Sequence, residues 1–194
     1  MRSGISTKLT LIVPAFMMSM AGASDPMGRS ESSAERIAEP LKEARIEIYK
    51  ARRELLLFSG QEEVRRYRVG LGFAPEAQKE REGDGATPEG SYLVVVKNPQ
   101  SSYYRSLGLN YPNREDGTRG LRSGMISEAE NKEIDRAHER GLRPPWDTAL
   151  GGEIYIHGRG SATDWTLGCV ALEDADMKEL YAATAVGTQV VIRP

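Results

Sequence analysis

Residues 154–172 read IYIHGRGSATDWTLGCVAL and hold the only cysteine of the chain, Cys169, twelve positions after His157, one of two histidines. A thiolate is a far stronger nucleophile than a thiol. A free cysteine ionises near ~8.5, and a neighbouring imidazolium stabilises the thiolate, so such a pair supplies nucleophile and base for acyl transfer. A lone cysteine has two other readings, a small buried apolar side chain or an intermolecular partner, and its surroundings must separate the three. Redox sensing normally wants a resolving cysteine, and the chain has none.

The pair needs elements to position it. Residues 154–156 are apolar and β-prone, and so predict a short strand that delivers His157 at its end. A Gly/Ser/Thr loop runs through Thr163 and returns to Thr166-Leu167-Gly168-Cys169. Gly168 carries no side chain, so a substrate carbonyl can approach the backbone, and the N–H groups around Cys169 are candidate donors to an oxyanion. The spacing predicts an accessible, acidified thiol.

Upstream, ARIEIYK (44–50) alternates Ile46 and Ile48 with polar residues, RELLLF (53–58) is a short apolar run and EEVRRYRVGLG (62–72) alternates less strictly. Ser59-Gly60 marks a hairpin, so three antiparallel strands are expected. A Gly/Pro-rich loop from Gly83 precedes a strand over 92–97, and TQVVIRP (188–194) closes the chain as another. Helices are expected over 127–141, where Ser127 and Glu130 make a capping box before Gly141, and over 173–184, with acids at its start. Strands outnumber helices without regular alternation, which argues against a doubly wound sheet.

The N-terminus has basic Arg2 and Lys8, an apolar run over 9–20 and then Ala21-Gly22-Ala23, the small-x-small pattern of a signal peptidase site. The apolar run is short for a ~30 Å bilayer core and contains Pro14, so a cleaved export signal over 1–23 is expected rather than an anchor. No later stretch is apolar enough to span, which predicts an exported protein of the periplasm or cell envelope with no stable membrane span. Residues 24–43 read as a polar linker or arm, and 44–194 as one domain. Without residues 1–23 the 26 Lys and Arg become 24 against 28 acidic residues, and no clustered positive charge suggests nucleic acid as a partner.

The motif HG…TLGCVAL resembles the signature of the L,D-transpeptidase catalytic domain, the YkuD-like family, a His-Gly followed by [Ser/Thr]-x-Gly-Cys. The block GDGATPEGSYLVVVKNPQSSYYRSLGLNYPN (83–113) also resembles that family, with its Thr-Pro-x-Gly turn and Tyr-Pro-Asn segment. The resemblance runs over about residues 44–193. It implies a mostly β, sandwich-like fold with two or three short helices, and action on peptidoglycan stem peptides in cell-wall biogenesis and cell shape. By resemblance, Cys169 attacks the carbonyl at the L-centre of the diamino acid and expels the terminal D-alanine. His157 is the general base, Gly158 offers a carbonyl to orient the imidazole, and Gly168 contributes to the oxyanion site. Thr166 and Trp165 are candidates to meet substrate. No metal or other cofactor is implied, and neither His157 nor His138 lies in a ligand cluster.

Many members carry Arg or Asn two residues after the cysteine, where this chain has Ala171. An alanine cannot bind a carboxylate bidentately and leaves room for water, so a hydrolase (amidase or L,D-carboxypeptidase) using the same Cys-His pair stays open. A silent wall-binding module is a third reading. Tyr103, Tyr104, Tyr111 and Trp146 read as core or as cleft walls, His138 as a surface histidine, and KEREGDG (79–85) as a charged loop that can also border a site. The signal pattern predicts that protein recovered from the envelope begins near Ser24. N-terminal sequencing that returns Met1 contradicts it.

Overall fold

The computed structural model describes Met1, Gly4 and residues 37–194. Apart from those first two residues, the expected signal segment 1–23 and residues 24–36 of the expected arm lie outside the described residues. The last part of that arm is docked. The Ile37 N–H donates to Glu179 at 3.0 Å, the Leu41 N–H to the Ala183 carbonyl at 2.9 Å, and both side chains pack on the main core.

β1 (Ala44–Tyr49), β2 (Glu54–Ser59) and β3 (Glu62–Arg68) form the antiparallel meander that the alternation predicts. Ile46 and Ile48 are fully buried. The looser pattern of β3 has a local cause. Leu57 pairs with Arg65 while Phe58 pairs with Glu63, so Val64 is an extra residue in a bulge. β4 (Gly90–Ser101) outruns the expected 92–97 strand and includes Pro99, which is tolerated where the register shifts between Asn98 and Ser101. β5 (Tyr104–Leu109) returns antiparallel to β4. Residues 106–109 are all buried, so β5 shows none of the polar alternation that signals a one-sided strand.

α1 (Arg114–Arg122) and α2 (Glu128–Glu139) follow, each opened by a complete capping box, Asn113 with Asp116 and Ser127 with Glu130. They enclose a small cluster of Ile126, Ile134 and Leu150. β6 (Tyr155–His157), β7 (Val170–Ala171), α3 (Asp174–Ala183) and β8 (Gln189–Arg193) complete the domain. Met177, Leu180 and Ala183 recur at helical spacing on α3 and enter the main core with Ile46, Leu57, Val94 and Ile156.

The eight strands make one sheet in the order β3-β2-β1-β8-β4-β5-β6-β7, with the β1–β8 and β6–β7 pairs parallel. The chain leaving β3 at one edge reaches β7 at the other. Gly70 and Ala171 exchange two backbone hydrogen bonds of 2.9 and 2.8 Å, and Gly72 bridges to Thr166. Among the described residues the architecture is a curled, mostly β sheet with three helices, as the pattern and the resemblance imply. Among the described residues no helix is long and apolar enough to cross a membrane.

The closure leaves no space at Gly72, where an added Cβ would lie 2.0 Å from the Gly85 carbonyl oxygen and 3.1 Å from the Gly168 Cα. Both obstacles are backbone and cannot swing aside. Gly72→Ala is expected to cost about 3 kcal/mol, read as a lower urea midpoint at unchanged slope. An unchanged midpoint contradicts the close approach.

Candidate active site

The parallel β6–β7 ladder pairs His157 with Ala171. Side chains alternate along a strand, so Cys169, two residues before Ala171, shares the face of His157. Both line a cleft of about 940 Å³. Tyr155, Ser106, Trp165 and Trp146 line it with them.

His157 is almost completely buried. Its Nδ1 lies 2.7 Å from the Gly158 carbonyl, which can only accept, so Nδ1 carries the proton and Nε2 is left with a free lone pair. The ring sits 4.7 Å from the Tyr103 ring and edge-on to Trp165 at 5.6 Å. Trp165 is fixed in turn by its indole N–H to the Gly160 carbonyl at 3.1 Å, and Tyr103 by its carbonyl accepting the Gly158 N–H at 3.0 Å. Burial lowers the imidazole pKa below its usual value, with the Gly158 carbonyl opposing, so the ring is neutral at neutral pH.

The thiol differs from expectation. Cys169 is half-buried, and burial pushes it up to about 11, against the pull of the Tyr155 N–H and the Lys79 charge. Sγ lies 3.4 Å from that N–H and 3.5 Å from the Glu153 carbonyl, which takes the thiol hydrogen. Glu153 has φ 55°, a left-handed turn that costs a non-glycine residue about 1 kcal/mol and here aims its carbonyl at the sulfur. Imidazole and thiol share the cleft without a direct hydrogen bond among the described contacts. The spacing reading of an acidified thiol is therefore corrected: desolvation outweighs the nearby dipoles and no imidazolium is present.

Thr166 lines the cleft, and the polar groups around the loop have partners within it. The Thr166 hydroxyl, expected to meet substrate, donates to the Cys169 carbonyl at 2.7 Å and accepts the Gly168 N–H at 3.1 Å. That removes the Gly168 N–H from the oxyanion donors, while the Cys169 N–H has no acceptor among the described residues. Gly168 has φ 132°, and a Cβ there would lie 2.7 Å from the Ala86 carbonyl oxygen, so its missing side chain makes room for the Thr-Pro-Glu-Gly turn rather than for substrate. The Thr87 hydroxyl holds the same turn by accepting the Gly72 N–H at 3.0 Å. The two motifs are packed back to back.

The YkuD family, described as the L,D-transpeptidase catalytic domain, matches residues 43–192. The chain belongs to that family. No curated protein sequence matches it. Among solved structures, the L,D-transpeptidase fold here is similar to the helical cell shape determining protein Pgp2 (K307A mutant) from Campylobacter jejuni, at 20% identity and TM-score 0.56, covering 84% of this chain and 52% of that one. It is also similar to Bd1075 of Bdellovibrio bacteriovorus, at 19% identity and TM-score 0.51, covering 82% of this chain and 52% of that one. The chain spans about half the length of either structure.

Within this L,D-transpeptidase domain, Tyr103, Trp146 and Trp165 do line the cleft, whereas Tyr111 is 1% exposed in the core and Tyr104 packs beside it. His138 joins α2 to the turn after β5, its Nε2–H donating to the Pro112 carbonyl at 2.9 Å and its Nδ1 facing the Asn110 amide at 3.3 Å. The 79–85 loop is an ordered turn. Asp84 accepts the N–H groups of Glu80, Arg81 and Ala86 and pairs with Lys79 at 2.9 Å. That loop brings Lys79 and Glu82 to the cleft, and the segment before β6 brings Arg143 and Glu153. Only the charges themselves are visible in the sequence for these four. Among the described residues no group of three His, Cys, Asp or Glu side chains is placed to hold a metal ion.

A thiol held protonated fixes the expected alkylation profile. The iodoacetamide rate should keep climbing with pH through 9 and beyond, because the thiolate fraction grows until the pH nears about 11. A plateau below ~8.5 contradicts the desolvated thiol.

Proposed function

We propose that this domain is an exported cysteine acyltransferase that forms or exchanges bonds in peptidoglycan by L,D-transpeptidation, a step in cell-wall biogenesis and cell shape. The observation that carries the reading is the shared cleft. It holds a thiol, an imidazole whose Nδ1–H is fixed on Gly158 so that Nε2 can accept, and a Cys169 N–H with no acceptor among the described residues.

Neutral thiol and neutral imidazole are the resting state, so deprotonation accompanies attack. As Sγ bonds to the carbonyl carbon at the L-centre of the diamino acid, Nε2 of His157 takes the thiol proton and the oxygen gains negative charge beside the Cys169 N–H. Collapse restores the carbonyl and breaks the bond to D-alanine, whose amine leaves with the proton from His157. A thioester on Cys169 remains. An amine from a second stem peptide then attacks it, gives its proton to Nε2 and releases the thiol.

A hydrolase is the second reading, with water in place of that amine. Its support from Ala171 falls away, because Ala171 is fully buried in the β7 ladder and opens no space to water. The exposed rings of Tyr103 and Trp165 and the Leu167 side chain give the cleft apolar walls, which favour an ordered amine over solvent. A silent binding module has no use for an imidazole in the cleft lining whose Nδ1–H is fixed so that Nε2 keeps its lone pair. Export rests on the N-terminal pattern.

Two outcomes test the proposal. Protonation of His157 removes the base, so kcat/KM should fall at acid pH with a midpoint below the ordinary ~6.5, since burial lowers that pKa; a midpoint above 6.5 contradicts a buried neutral base. Defined tetrapeptide muropeptides incubated with a D-amino acid should give exchanged or cross-linked products that Cys169→Ala abolishes. Shortened products alone would leave the hydrolase reading standing.

A further inference from the structure

The cleft is lined by two cations, Lys79 and Arg143, and three carboxylates, Glu82, Asp147 and Glu153. Lys79 is 3% exposed and already satisfied, by Asp84 at 2.9 Å and the Arg81 carbonyl at 2.9 Å. Arg143 has no ion-pair or hydrogen-bond partner among the described residues. Its guanidinium lies 4.6 Å above the Trp146 ring.

That ring is a fixed platform. The Trp146 indole N–H donates to the Tyr111 carbonyl at 2.9 Å, its edge meets Tyr155 at 5.7 Å, and its Cβ and ring atoms occupy the space beside Gly152. Stacking on an indole restrains the guanidinium plane while leaving the N–H edges open. A planar fork held this way suits a carboxylate, which accepts two parallel hydrogen bonds. The platform also lies close to the reacting group, because Tyr155, which touches Trp146, donates its backbone N–H to the Cys169 sulfur.

We propose that Arg143, stacked on Trp146, is the specificity residue that binds a free carboxylate of the stem peptide. The inference rests on the reading of the cleft as a stem-peptide site. Two carboxylates of the substrate lie on the residues that flank the scissile bond, the C-terminal one of D-alanine and the one at the D-centre of the diamino acid, and these are the ones within reach of a cation beside the cleft.

The test is binding of a synthetic tetrapeptide stem to full-length Cys169→Ala protein by calorimetry, in three forms: free acid, C-terminal amide and D-centre amide. Arg143→Ala is expected to weaken the free acid about tenfold and Arg143→Lys less, since a point charge remains without the fork. The amide that removes the recognised carboxylate should bind weakly and be indifferent to Arg143→Ala, while the other amide keeps the tenfold effect; this identifies the source. Arg143 is exposed, and an unchanged melting temperature in the variants separates lost recognition from lost folding. Equal loss for all three peptides, or no loss, overturns the role of Arg143 and leaves the stem-peptide reading intact. No binding of any peptide to the parent protein overturns both.

Discussion

Two backbone hydrogen bonds between Gly70 and Ala171 close the curled sheet, and the site depends on that closure. β7 is only two residues long and would be a weak edge strand by itself. Held between Gly70 on one side and β6 on the other, it fixes the segment that carries Cys169 against the strand that carries His157. The turn around Thr87 then fills the space behind Gly168, so the loop that carries Cys169 is braced from below. Loops that hold catalytic groups need such rigid support.

Burial sets the chemistry. A thiol pushed up and an imidazole pushed down leave a neutral pair at rest, protected from adventitious alkylation and oxidation. In the proposed reaction, charge develops only when a substrate carbonyl is present to receive the sulfur. The aromatic contacts of His157 with Tyr103 and Trp165 thus do two jobs, orienting the ring and desolvating it.

Legibility in the sequence followed the range of the interaction. Local pattern sufficed for β1, β2, α2 and α3, and the His-Gly and Gly-Cys motifs led to the cleft itself. The parallel β1–β8 pair joins residues more than 140 apart, and no periodicity reports that. α1 is polar and contains two glycines, yet Asn113 and Asp116 spell a capping box that could have revealed it. The thiol pKa and the commitment of Thr166 to its own loop depend on depth and on hydrogen-bond direction, which residue types do not encode. Arg143 looks like any surface arginine until the Trp146 platform is seen.

The central claim is that Cys169 carries the acyl group. The direct measurement is intact-protein mass spectrometry on acid-quenched mixtures of the mature protein with a tetrapeptide stem substrate. The account predicts an adduct equal to the substrate less D-alanine, mapped to Cys169 by peptide digestion and absent from Cys169→Ala. Turnover of the substrate with no adduct at any quench time, and persisting in Cys169→Ala, would contradict it.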